Sequence, residues 1–254
     1  MGMHWTSWNK KMQIKGILFD KDGTLIDFQS LWLQAANEVT DLLICINGLE
    51  KSLGKRNFIL EAMGIKDGKV IPDGPLAYQT YTEIGEAVHA ALHKQGDEVD
   101  PVLIAEQLSV LFESVTARDD FEYREIVPLR PLFEVLRRMQ IKIGLATADT
   151  ATSVRRCFQK LGILEMFDFL GCDDGKLKPK PEKDMFEKFR GKFRMQPQEI
   201  LVVGDTKNDM IFAHMCGGTG IGVLSGLAKK EDFAGEADEI LTSIGELPAY
   251  LERN

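Results

Sequence analysis

Apolar and polar positions along the chain change period twice. Ile17-Leu18-Phe19 is a short apolar run that leads straight into Asp20-Lys21-Asp22-Gly23-Thr24-Leu25. Such a run suits a short buried strand, and Gly23 permits a turn that a larger residue would resist. From Phe28 the period lengthens. Leu31, Trp32, Ala35, Ala36, Val39, Leu42, Leu43 and Ile46 share one helical face, with Gly48 as terminator. Phe58, Ile59, Ala62 and Met63 predict a second helix ended by Gly64. The run from Lys66 to Pro75 reads as loop. Ile84, Val88, Ala91 and Leu92 predict a third helix. Asp100-Pro101 is an N-cap and first-turn proline for a fourth, which carries Leu103, Leu108, Leu111, Phe112 and Val115. The stretch from about Phe28 to Glu125 is therefore expected to be all helical.

Near Pro128 the pattern changes to short apolar runs alternating with amphipathic ones. Pro131 opens a helix over Leu132, Val135, Leu136 and Met139, and Ile141 to Thr147 reads as a strand. Val154, Cys157, Phe158 and Leu161 make a helix closed by Gly162, and Phe167 to Leu170 a short strand. A helix marked by Met185, Phe186 and Phe189 precedes the strand Ile200-Leu201-Val202-Val203. A further helix over Ile211, Phe212 and Met215 leads to strands at Thr219–Val223 and Glu239–Leu241. Alternation of this kind predicts the α/β class, a parallel sheet with helices on both faces. The expected organisation is a core of residues 1–27 and 126–254 with an inserted helical block, 28–125. An insertion after the first strand lies beside that strand's carboxyl end, where it would act as a lid over a site built on Asp20.

Composition narrows the function. The chain has 254 residues, ordinary proportions of apolar and charged residues, and net charge −8. That charge argues against non-specific nucleic-acid binding, and no apolar run approaches the length of a membrane span. Cys45, Cys157, Cys172 and Cys216 are spread without metal-ligand spacing. They read as reduced thiols in a reducing, cytoplasmic compartment. Met1 to Lys11 includes Trp5 and Trp8 but no apolar signal core, and its Met1-Gly2…Thr6 match to a myristoylation pattern reads as incidental.

Four points follow strands or sit in tight loops, and in a parallel sheet they can converge on one edge. They are Asp20-Lys21-Asp22, Thr147, the Lys178-Pro179-Lys180-Pro181 loop, and Gly204-Asp205-Thr206-Lys207-Asn208-Asp209. Paired carboxylates repel unless a cation or shared proton joins them, and magnesium with a phosphate is the natural partner for such oxygens. The plainer alternatives are an acidic turn, a capped strand end, a solvated basic loop and an N-capping aspartate.

Taken together and in this order, the four motifs resemble those of the haloacid dehalogenase-like superfamily. A helical block between the first two resembles the capped subgroup of phosphoglycolate phosphatase and β-phosphoglucomutase. The resemblance implies a Rossmann-like core, a helical cap domain and magnesium-dependent phosphoryl transfer through an aspartyl-phosphate. It implies Asp20 as nucleophile and metal ligand, and Asp22 as proton shuttle that lends its backbone carbonyl to the metal. Thr147 would bind a phosphoryl oxygen, Lys178 would offset charge on Asp20 and the phosphoryl group, and Asp205 would bind magnesium. Asp209 is more often one shell out. Within the loop the Lys-Pro-x-Pro pattern favours Lys178 over Lys180. The expected function is hydrolysis of a small phosphate monoester, phosphoglycolate-like or a sugar phosphate. The alternatives are a β-phosphoglucomutase-type phosphomutase and a catalytically silent binding protein.

Several positions stand apart. Lys21 is expected to leave the strand on the side opposite both aspartates. Asp149 departs from the family pattern, and an acid so near a phosphate site must point away or pair with a base. His89 and His93, four apart, read as a surface pair rather than a zinc site. Lys55 and Arg56 read as a solvated face rather than an anion clamp. The Asp67–Pro75 loop is a candidate for substrate contact.

Overall fold

The computed structural model describes residues 13–72 and 74–253, so the expectations for Trp5, Trp8 and the Met1-Gly2 pattern lie outside the described residues. In chain order the first element is β1 (Gly16–Phe19), buried along its whole length. The helical block follows: α1 (Phe28–Ile46), α2 (Leu53–Ala62), β2 (Ile65–Lys66), β3 (Lys69–Val70), α3 (Pro75–Tyr78), α4 (Tyr81–His93) and α5 (Pro101–Ala117). Then come α6 (Leu129–Arg138), β4 (Lys142–Ala146), α7 (Ala151–Lys160), β5 (Phe169–Gly171) and α8 (Asp184–Phe193). The chain closes with β6 (Ile200–Gly204), α9 (Lys207–Cys216), β7 (Thr219–Val223), β8 (Glu239–Leu241) and α10 (Leu247–Arg253).

Six strands form one parallel sheet in the order β5-β4-β1-β6-β7-β8. The chain adds strands to one side of β1 and then reverses, placing β6 on its other side. That reversal is a topological switch point, where the loops at the carboxyl ends diverge and leave a crevice. Phe19 is in register with Leu145 of β4 and Val203 of β6, so Asp20, Thr147 and Asp205 emerge at nearly the same level. Period-two alternation sorts the core. Ile17, Phe19, Leu145 and Val203 join Phe133 and Phe158 of α6 and α7 on one face. Leu18, Val202 and Ala146 pack with Phe186, Phe189 and Phe212 of α8 and α9 on the other.

The block between β1 and β4 is helical apart from the antiparallel pair β2–β3, which occupies the turn-rich stretch read as loop. Two residues per strand carry too little periodicity to register in the sequence, and the pair owes its place to the Gln29 side chain. Gln29 Nε2 donates to the Val70 carbonyl and Oε1 accepts from the Val70 amide, both at 2.8 Å. The two chain crossings into and out of the block lie side by side: Asp27 N–H donates to Arg124 O at 2.8 Å, and Ile126 N–H to Leu25 O at 3.0 Å. Lys160, at the end of α7, donates to the Arg118 and Phe121 carbonyls and so ties the exit segment to the sheet side. No helix among the described residues is long and apolar enough to cross a membrane.

Candidate active site

Asp20 follows β1 directly, and its N–H donates to Val203 O at 2.8 Å, which extends the ladder with β6 by one step. The chain then turns sharply. Lys21 O accepts from both Leu25 and Ile26, and Gly23 sits at φ +85°, where a side chain would be strained. A Cβ on Gly23 would also lie 2.3 Å from Asp205 Oδ2. Asp205 emerges from β6 beside it, 1% exposed. Its Oδ2 accepts from the Leu227 amide at 2.9 Å and its Oδ1 from the Thr24 hydroxyl at 3.4 Å. A Cβ on Gly226 would come within 1.9 Å of Asp205 Oδ2. The carboxylate therefore occupies a slot made by two glycines.

Asp209 lies in the first turn of α9, also 1% exposed. The N-cap of that helix is Thr206. Asp209 Oδ2 accepts from the Thr206 amide at 3.1 Å and its hydroxyl at 2.6 Å, forming a capping box. Its Oδ1 faces Lys180 Nζ at 2.5 Å, so both oxygens are engaged. Asp20 Oδ1 is 2.6 Å from the same ammonium.

The basic partner is thus Lys180, not Lys178. The Lys180 side chain is 8% exposed and bridges Asp20 and Asp209, whereas Lys178 is exposed and its amide donates to Asp184 Oδ2 at 3.3 Å. The two lysines differ by only two residues in a proline-rich loop with no repeat period. Which one turns inward is decided by how the loop enters α8.

Lys21 also departs from expectation. The strand ends at Phe19, so alternation no longer governs the next side chain. Lys21, 2% exposed, turns back to place Nζ 2.7 Å from Asp22 Oδ1 and 3.1 Å from Asp149 Oδ2. Asp149 thereby pairs with a base, one of the two ways its position is tolerable. Thr147 is 3% exposed and its Oγ1 accepts from the Asp149 amide at 3.2 Å. That leaves the Thr147 hydroxyl hydrogen available to donate.

Burial pushes the Asp20 carboxyl up to about 6, with Lys180 opposing and Asp209 and Asp22 adding to the rise. Burial, with Asp20 and Asp209, raises Asp205 well above the carboxylate range, and burial raises Asp22. For Lys180, burial pulls downward, but Asp20 and Asp209 outweigh it and hold the ammonium firmly charged.

Among the described residues, Asp20, Asp205 and Asp209 form a group whose ligand oxygens all lie within 4.8 Å of one another. Three acids gather around one lysine, all donors are hard oxygens, and one carboxylate is held in the glycine slot by the Leu227 amide and the Thr24 hydroxyl. These features fit a small divalent cation such as magnesium. The Asp22 side chain stands outside the trio, turned to Lys21. His89 and His93 belong to no such group. His89 Nδ1 contacts Val99 O at 2.6 Å, and His93 Nε2 lies 3.2 Å from Glu98. Lys55 pairs with Asp97, and Arg56 with Asp41 and Asn37, so neither reaches the cluster's carboxylates. The residues that sequence reasoning passed over are Thr24, Gly226 and Leu227, all clasping Asp205. A Ser-Gly-Leu step just after β7 was the available hint.

The glycine slot makes a prediction. Magnesium at 100 times its dissociation constant is expected to stabilise the wild type by about 2.7 kcal/mol. Gly226→Ala, whose methyl group displaces the Asp205 carboxylate, is expected to lose more than half of that. Thermal melts with and without the metal read both effects, and an unchanged magnesium shift in Gly226→Ala would remove the slot from metal binding.

The sequence model of the haloacid dehalogenase-like hydrolases matches residues 14–217. The chain belongs to that family, and is an enzyme of the hydrolase class. It is similar to the phosphoglycolate phosphatase of Yersinia pseudotuberculosis, 27% identical over 215 residues, 84% of this chain and 82% of that protein. Two crystal structures share the fold. One is a Haemophilus somnus protein predicted to be a phosphoglycolate phosphatase, with TM-score 0.66 and 19% identity, covering 94% of this chain and 99% of that one. The other is a Thermotoga maritima protein provisionally assigned as a β-phosphoglucomutase, with TM-score 0.67 and 16% identity over the same shares.

Proposed function

We propose that the chain is a magnesium-dependent phosphatase that hydrolyses a small phosphate monoester through a phosphoryl group carried on Asp20. The observation that carries this reading is the meeting of Asp20, Lys180, Asp205 and Asp209 at the switch point, with Asp22 two residues after Asp20. Asp20 attacks phosphorus in line: a bond forms from its carboxylate oxygen while the ester P–O bond breaks. Asp22 gives its proton to the departing alkoxide, then takes one from the water that attacks the phosphoryl-enzyme, releasing phosphate and restoring Asp20. Lys180 offsets charge on Asp20 and on the transferring group, and the Thr147 hydroxyl donates to a phosphoryl oxygen. Asp20, Asp205 and the Asp22 carbonyl, with Asp209 behind, would hold a divalent cation, which would supply positive charge against the phosphoryl oxygens.

Residues 28–125 serve as a cap over this crevice. The paired crossings at Asp27–Arg124 and Leu25–Ile126 support that division, because they give the block a narrow double connection to the sheet. Phosphoglycolate and sugar phosphates are the substrate class suggested by the named relatives. The free thiols of Cys45, Cys157, Cys172 and Cys216 support a reducing, cytoplasmic setting.

The test is a panel of phosphate monoesters at neutral pH, with magnesium or with a chelator. The expected result is phosphate release without any acceptor sugar, falling by roughly 10²-fold when the metal is removed. Turnover only in the presence of an acceptor sugar would instead identify a mutase. No release from any ester would identify a binding protein.

A further inference from the structure

Asp149 sits where three site loops meet. Its N–H donates to Thr147 Oγ1 at 3.2 Å, and its carbonyl accepts from Asp173 N–H at 2.9 Å, in the loop that leads to Lys180. Carboxylate Oδ1 accepts from the Thr150 amide at 2.7 Å, at the N-cap of α7. The other oxygen, Oδ2, is 3.1 Å from Lys21 Nζ, and Lys21 Nζ is 2.7 Å from Asp22 Oδ1. The Lys21 side chain is 3% exposed, so its ammonium has these carboxylates in place of water.

We propose that Lys21 and Asp149 are positioning residues that hold the Asp22 carboxylate in place for proton transfer, Asp149 acting through Lys21. An ammonium is a compact point charge on a flexible stem with rotatable donors. With Asp22 as its single partner, it would swing with that side chain and fix nothing. The second partner is anchored independently at its amide, its carbonyl and its other oxygen, so the ammonium becomes a fixed point from which Asp22 hangs. A misplacement of about 1 Å at a reacting group costs on the order of 10²-fold. Lys21 and Asp149 are therefore one device, although 128 residues separate them in sequence (149 − 21).

This inference rests on the phosphatase reading, and p-nitrophenyl phosphate tests it separately. Its leaving phenolate departs without a proton, so formation of the phosphoryl-enzyme makes little demand on Asp22. Attack of water on that intermediate still needs the base. In stopped-flow assays with magnesium, Asp149→Asn is expected to release a burst of about one equivalent of p-nitrophenolate. Steady turnover is then expected to be roughly tenfold below wild type. Asp149→Glu, which keeps the charge, is expected to recover most of that loss. Lys21→Met should match Asp149→Asn, and the double variant should be no slower than either single one. The double variant also leaves no unpaired ammonium, so it covers the case in which a single variant fails to fold. A burst lost together with turnover, losses that multiply in the double variant, or wild-type turnover in Asp149→Asn would overturn the proposal. Asp20→Asn run alongside separates the two readings: turnover surviving there defeats the phosphatase mechanism whatever Asp149 does.

Discussion

Asp20→Asn is expected to lower turnover of any accepted phosphate ester by at least about 10³-fold, the scale seen when a covalent nucleophile is removed. The amide matches the carboxylate in size and can still turn its oxygen toward Lys180 Nζ, which lies 2.6 Å from Asp20 Oδ1. It has no lone pair able to attack phosphorus at a useful rate. The same change removes a charge that burial and the neighbouring Asp209 already disfavour, the two effects that push the Asp20 carboxyl up to about 6. Lys180 keeps Asp209 as a partner at 2.5 Å. The metal-free variant is therefore expected to melt no lower than wild type. Loss of activity with retained or raised thermal stability assigns the effect to chemistry. Activity within tenfold of wild type would rule out the aspartyl-phosphate route.

The second large effect separates two lysines in one loop. Lys180→Ala is expected to cost about 10²–10³-fold in kcat, the magnitude for removing one preorganised group that faces developing negative charge. Lys178→Ala is expected to stay within about twofold, because an exposed side chain away from the cluster contributes little. The distinction follows from burial: Lys180 holds two carboxylates with its side chain 8% exposed, and Lys178 points to solvent. Deleting Lys180 also leaves Asp20 and Asp209 facing each other without compensation. Breaking a buried ion pair in this way destabilises by about 3–5 kcal/mol. The melting temperature of metal-free Lys180→Ala is thus expected to drop, and magnesium is expected to restore part of the loss. Equal kinetic effects at the two positions, or a larger one at Lys178, would reverse the assignment.

Much of the fold was legible because its signals are local. The all-buried β1, the strand ending at Ala146 and the run Ile200–Gly204 are apolar stretches bounded by turn residues. The helices of the inserted block show in their 3.6-residue period, and Asp100-Pro101 marked the start of α5 to the residue. The pair β2–β3 was not legible: two-residue strands have no period, and a glutamine 41 residues away from Val70 holds them. In the site, Asp20, Thr147 and Asp205 could be picked out because each directly follows an apolar strand. Parallel strands in register bring their ends to one level.

The sequence by itself determined which residues end the central strands, that these strands run parallel, and that acids stand at two of those ends. Hydrophobic period and chain order are local properties, and they suffice for that much. Only the tertiary structure decided which lysine turns inward, where Lys21 points, and what holds Asp205 in its slot. Those outcomes depend on partners far away in the chain: Lys180 on Asp20 across 160 residues, and Thr24 on Asp205 across 181. A buried ammonium or carboxylate takes its direction from the charge it must face. The chain names its acids, but the fold chooses their bases.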